Sequence, residues 1–358
     1  MFSTILSGDL PKGKILRLLL LVIVLGLAFA PFLFPGVRAL NTAATICIFI
    51  VLAASYDLLI GYTGVVSFAH TMFFGIGAYG VAITLDKAVP GWGGVLIGTG
   101  LGLAVAIVLA FVIGLFSLRV KEIFFAMVTL AVASAFLILA SQLSGLTGGE
   151  DGLTYKLPRL LSPAFKLIDE KVLGVRINGR LLNYYLVFWG ALGLFLVMLR
   201  VVNSPFGRVL QAIRENQFRA EALGYRTVVY RTIANCLAAA IAALAGVLMA
   251  LWHKYTGPDT TLSLTIMIDI LLMVVIGGMG SLYGAAIGAT LFVLAKNYLQ
   301  ALMGDAADGL SAVPMLAELV HPDRWMLWLG VLFILSVYFF PTGVVGKLRR
   351  SEPGTQNN

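Results

Sequence analysis
Long apolar runs separated by short polar stretches dominate the chain. A membrane span needs about 20 mostly apolar residues, because a helix rises about 1.5 Å per residue and must cross roughly 30 Å of hydrocarbon. Ten stretches fit or approach that pattern: residues 16–34, 39–60, 65–85, 93–117, 123–141, 183–201, 232–252, 263–283, 285–303 and 325–341. The pattern predicts an all-α, polytopic integral membrane protein with about ten transmembrane or re-entrant helices. The third stretch opens on glycines and is expected either to span or to be broken. Residues 1–345 read as one transmembrane domain, interrupted by long polar loops at 145–182 and 203–231, with a basic tail at 346–358.

Composition supports the lipid setting. Of 358 residues, 60% are hydrophobic and only 12% charged, about half the usual charged share of a soluble protein. Charge sets the orientation. With the N-terminus inside, inner segments hold fourteen lysines and arginines and outer segments ten, six of those in the single loop 145–182. The bias predicts N-in and C-in. It also attributes the net charge of +8 to topology and anionic lipid. No basic stripe is interleaved with aromatics, so no nucleic-acid partner is expected. Lys12, Lys14 and Arg17 precede the first apolar run, but no Ala-x-Ala-like cleavage site follows it, so that run reads as a span. Cys47 and Cys236 lie in apolar runs and read as small hydrophobes. His70, His253 and His321 are too scattered to form a metal site.

The loop 203–231 has helical grammar. Ser204 suits a cap and Pro205 the first helical position. Leu210, Ile213 and Phe218 alternate with charges, Glu215 and Arg219 form a favourable i,i+4 pair, and Gly224 is a stop. One short amphipathic helix is expected, either resting on headgroups or docking a cytoplasmic partner. Three ionisable residues fall inside spans. Asp57, near an inner end, is expected to reach headgroups or water. Asp269 and Lys296 lie on consecutive antiparallel spans, each about 9–11 Å below the outer boundary. They are expected to face each other or share a polar cavity, since pairing reduces the cost of a charge in hydrocarbon. A solitary Lys296 reaching outward is the alternative.

Two motifs mislead. Residues 8–14 have phosphate-loop spacing, but Ile15 replaces the required Ser or Thr and no strand precedes it. Leu143-Ser144-Gly145 resembles part of an ATPase signature but falls on the outer side. No nucleophile–base–orienter set is evident. The chain therefore reads as a non-enzyme with no nucleotide site, catalytic residue, cofactor or metal of its own.

Four stretches carry a family resemblance. They are Gly61-Tyr62-Thr63-Gly64 through Ser67 and His70 to Tyr79, then Leu146-Thr147-Gly148-Gly149-Glu150-Asp151-Gly152-Leu153. The third runs from Ser204 through Gly207-Arg208 and Arg214-Glu215-Asn216 to Gly224, and the fourth is Ile276-Gly277-Gly278-Met279-Gly280-Ser281 to Gly284. In order and spacing they resemble the LivM-type permease subunit of branched-chain amino-acid ABC importers. One departure is Ala69, where that family favours glycine. The resemblance implies a second homologous permease subunit, two cytoplasmic ABC ATPase subunits and an extracytoplasmic substrate-binding protein, in a bacterial or archaeal cytoplasmic membrane. It implies that the third stretch is the ATPase-coupling loop, with Gly207, Arg208, Arg214, Glu215, Asn216, Arg219 and Gly224 as its residues. Gly61, Gly64, Ser67, His70, Gly277, Gly278, Gly280 and Ser281 become substrate-pathway candidates, because broken helices offer free N–H and C=O groups to a zwitterion. Tight packing of small residues accounts for the same glycines. The loop 145–182, with Thr147, Gly148, Gly149 and Asp151, is expected to face the binding protein. Leucine, isoleucine and valine are the implied cargo, with urea or another small amide as the alternative. An ATPase-independent secondary transporter or channel is the competing class.

Overall fold
The computed structural model describes residues 13–34, 36–117, 122–163, 165–172, 175–309, 321–339 and 343–350. Residues 8–12 of the apparent phosphate loop and 351–358 of the basic tail lie outside them. The helices are α1 (Lys14–Leu33), α2 (Val37–Ile60), α3 (His70–Ile83), α4 (Trp92–Ser117), α5 (Glu122–Gln142), α6 (Gly179–Val202), α7 (Pro205–Glu215), α8 (Gln217–Ala222), α9 (Thr227–His253), α10 (Leu264–Gly277), α11 (Leu282–Gly309), α12 (Trp325–Phe339) and α13 (Gly343–Arg350). Among the described residues, eight helical stretches are long and apolar enough to cross a membrane. The chain is a multi-pass, all-α membrane protein.

Three expected segments differ in detail. The third is a 14-residue helix, α3, extended by a π-helical turn at Thr84–Ala88 and preceded by non-helical residues 61–69. The last, α12, has 15 residues. Between them, α10 stops at Gly277 and α11 starts at Leu282, so the boundary placed at 284 lies at 278–281. The reason is local: Gly278 and Gly280 both adopt positive φ, which ends the helix before the apolar run does.

The centre of the bundle is α2, α3 and α9, with α3 almost wholly buried and α4, α6, α10 and α11 around it. The outer helices keep apolar side chains such as Leu21, Leu96, Val108 and Ile123 exposed, as a lipid-facing surface requires. Inside α1, Pro31 has no N–H to offer the Leu27 carbonyl. The Tyr184 hydroxyl of α6 takes that place, donating to Leu27 O at 2.5 Å.

The start of α1, α7–α8 and α13 share one end of the bundle. There Leu16 packs with Ile287 and Val345, and Gly343 lies against Gly278. The opposite end carries the loop 145–182, which is more structured than expected. Its β1 (Leu153–Thr154) pairs antiparallel with β4 (Tyr255–Thr256), and β2 (Lys166–Val172) with β3 (Val175–Asn178). Thr147 and Gly149 are buried because they anchor the loop. The Thr147 hydroxyl donates to the Ala140 carbonyl at 2.5 Å, and the Tyr155 hydroxyl to the Ala250 carbonyl at 2.9 Å. Asp151 stays exposed.

Candidate functional site
Buried backbone must find partners, and the break after α2 finds them locally and from afar. The N–H groups of Thr63 and Val65 both donate to Leu59 O, at 3.0 and 3.3 Å. The Phe68 N–H donates to Thr129 Oγ1 on α5 at 3.1 Å, and the Ala69 N–H to Ser67 Oγ at 3.4 Å. Ala69 has φ −83°, a conformation open to any residue, so glycine is not required there. At the first turn of α3, His70 Nε2 lies 2.8 Å from Ser55 Oγ. The Ser55 hydroxyl already donates to Leu52 O, so the ring nitrogen is the donor. His70 and Ser67 are both fully buried.

The second break, 278–281, packs directly on the first. The Gly280 N–H donates to Asp57 Oδ1 at 2.8 Å, and Asp57 is 0% exposed. Asp57 therefore does not reach water as expected; it accepts an N–H that the break between α10 and α11 has released. Arg214, at the end of α7, donates through Nη1 to the Gly61 carbonyl. Its stem also passes Gly64. A Cβ at Gly61 would collide with both the Asp57 carboxylate and the Gly280 nitrogen, so this contact is built on two glycines. Gly277 is similarly pressed against Gly284, while Ser281 Oγ accepts the Gly284 N–H at 3.4 Å.

The polar loop is two helices rather than one. Asn216 is extended (φ −158°, ψ 98°), and its side chain caps α8 by accepting the Arg219 N–H at 2.9 Å. The break separates Glu215 from Arg219, placing them on different helices. Leu210 and Ile213 are buried as expected, but Phe218 is 85% and Leu223 72% exposed. Pro205 opens α7, whereas the Ser204 hydroxyl donates back to Val201 O rather than capping forward. Gly207 abuts the Val202 carbonyl, and Gly224 (φ 90°) ends α8. Glu221 ties α8 to α9 by accepting from the Thr227 hydroxyl at 2.7 Å and from the Gln217 amide at 2.9 Å. These bonds hold its carboxyl below the usual glutamate range. Arg208 and Arg219 are exposed.

The sequence profile described as branched-chain amino acid transport system, permease component, matches residues 38–337. The chain belongs to this family. It is 27% identical to the high-affinity branched-chain amino acid transport system permease protein LivM of Salmonella typhimurium, over 96% of this chain and 77% of that one. The probable LivM of Methanocaldococcus jannaschii is 26% identical over 83% of this chain and 90% of its own length. BraD of Pseudomonas aeruginosa is 26% identical over 83% and 91%. No solved structure matches the chain.

In this permease the three best-formed cavities among the described residues are lined by other side chains than the eight pathway candidates. Gly61, Gly64, Gly277, Gly278, Gly280 and Ser281 instead form the junction of the two breaks, with Arg214 and Asp57. Asp57 was not among the sequence-derived site residues, and its partner lies 223 residues away. Farther along α10 and α11, Lys296 Nζ lies 2.5 Å from Asp269 Oδ2, with the side chains 39% and 10% exposed.

Proposed function
We propose that this chain is one permease subunit of an ABC importer that moves branched-chain amino acids into the cytoplasm. Both termini and α7–α8 lie on the cytoplasmic side of a bacterial or archaeal inner membrane. Separate ATPase subunits hydrolyse ATP, a second homologous permease completes the channel, and an extracytoplasmic binding protein delivers cargo. The observation that carries this reading is the Arg214 contact. A polar helix pair is joined through this one side chain to the two breaks between apolar helices, bonding Gly61 O and lying against Gly280. A push on α7 therefore reaches the Gly61 and Gly280 backbones directly, which is what a subunit driven by an external motor needs. The exposed Phe218 and Leu223 support α8 as the docking surface, since large apolar side chains on a charged loop favour a partner. The names of the relatives support the cargo.

The test is leucine uptake into proteoliposomes holding the assembled importer, its binding protein and ATP. Phe218→Asp with Arg219→Glu should lower ATPase co-purification and uptake together. Arg214→Ala should leave the ATPase bound but uncouple hydrolysis from uptake. Leucine uptake by the isolated chain without ATP, or wild-type coupling in Arg214→Ala, would overturn the reading.

A further inference from the structure
At the end of the bundle away from α7–α8, a cavity of about 250 Å³ lies between the start of α6, the end of α9 and the loop 145–182. That is below the usual drug-sized range, so it suits a small ligand. Two cations line it, Arg180 and Lys254, and none of its lining residues is acidic. Of the five N–H donors of Arg180, one reaches Asn41 Oδ1 at 2.9 Å, and the guanidinium lies 5.9 Å from the Trp252 ring centre. Asn183 is 2% exposed. Its Nδ2 donates to Leu251 O at 2.7 Å, which leaves Oδ1 as a buried acceptor without a partner. Such an orphan calls for a donor that is not part of the protein.

The backbone carries a second signal. Lys254 is the one non-glycine residue with positive φ among those described (φ 59°). It occupies the left-handed position after α9, where glycine is favoured. A lysine there is held against its backbone preference, and strained residues cluster at functional sites. Its ammonium makes no hydrogen bond or ion pair among the described residues. Helix polarity adds a gradient, since α6 brings its positive end to the cavity and α9 its negative end. Leu161, Pro163 and Trp252 supply an apolar wall.

We infer that this cavity is a transit site for a free α-amino acid, with its carboxylate on Arg180 and Lys254, its ammonium on Asn183 Oδ1 and its aliphatic side chain on the apolar wall. The inference rests on the proposed importer function, in which this end faces outside and receives cargo.

The test uses the assembled importer in phosphatidylcholine nanodiscs, without binding protein, and measures radiolabelled leucine by scintillation proximity. Unlabelled leucine should displace the label. Leucinamide, which lacks the carboxylate, and 4-methylpentanoate, which lacks the ammonium, should each compete about tenfold more weakly, as expected for loss of one charge-assisted contact. Lys254→Gly relieves the backbone strain, so thermal stability should hold or rise while leucine affinity falls about tenfold; Asn183→Leu should also weaken binding. Unchanged affinity in Lys254→Gly, or displacement by inorganic phosphate or phosphatidylglycerol-containing nanodiscs but not by leucine, would overturn the site. So would the absence of saturable binding in an importer that still takes up leucine. Failure of the intact importer to take up leucine would instead count against the proposed function.

Discussion

Breaking the Asp269–Lys296 pair should have unequal consequences on its two sides. Asp269 is 10% exposed at its side chain and Lys296 39%. In Lys296→Met the carboxylate is left charged and mostly buried, which costs about 3 kcal/mol on the scale for charges at helix centres. In Asp269→Asn the ammonium is left, but its long stem lets it move toward water, so the loss is about 1 kcal/mol. Independent effects would sum to about 4 kcal/mol. Removing both charges together leaves no orphan, so the double variant should lose only about 2 kcal/mol, a coupling of about 2 kcal/mol, within the range for contacting residues. The double variant should thus be more stable than Lys296→Met alone. Steric-trapping unfolding in bicelles measures all four corners of the cycle, and leucine uptake gives a functional parallel. Additivity within about 0.5 kcal/mol would refute the reasoning, because it would mean that each charge is satisfied separately.

Gly61→Ala should destabilise the protein by about 1–3 kcal/mol through overpacking, while Gly26→Ala, where a new Cβ meets nothing within 4 Å, should be neutral; equal melting temperatures for the two would contradict the junction's packing. Glu221 has a depressed pKa when folded, caused first by the Thr227 hydroxyl and then by the Gln217 amide. Its contribution is therefore present above the ordinary glutamate value of about 4.3 and lost as pH falls through the folded value. Amide-exchange protection at the α8–α9 link should decline in that acid window, and Glu221→Gln should remove the dependence; an identical acid profile in the variant would refute it. In a Cys236→Ser background, Glu150→Cys should react with an impermeant thiol reagent added from outside, because Glu150 is exposed in the turn before β1 while native Cys47 is buried. Labelling only after the cells are opened would reverse the orientation.

Helix positions were legible wherever an apolar run was long and uninterrupted, since hydropathy over about 20 residues reports lipid contact directly. What hydropathy cannot separate is lipid from protein as the apolar neighbour. That is why the short, protein-buried α3 reads like a span. The glycines at 61–64 and 277–284 announced that helices break, but no local pattern says which break meets which. Asp57 was misread for that reason, as its partner is a backbone N–H freed far along the chain. The exposure of Phe218 was not legible either, because the extended backbone of Asn216 ends α7 and starts a new helix, so the buried Leu210 and Ile213 do not set its direction. The hairpin β2–β3 had a usable signal in the β-branched residues on either side of Leu173-Gly174. The cavity at Arg180 had none, because Asn41, Asn183 and Lys254 are dispersed along the sequence.

The Asp57–Gly280 contact also sets an order of events during synthesis. Its partners are 223 residues apart, and translation proceeds at about 5–20 residues per second, so roughly 11–45 s separate their emergence. Through that interval α2 already exists. Arg214 follows its acceptor Gly61 by 153 residues, so it emerges within that interval, and Gly280 is the last partner to reach the first break. The first break must wait hydrated or shielded by the insertion machinery, and it closes only when α10 and α11 arrive. The amino-terminal half thus enters the bilayer as an unfinished intermediate, and its completion is timed by the ribosome.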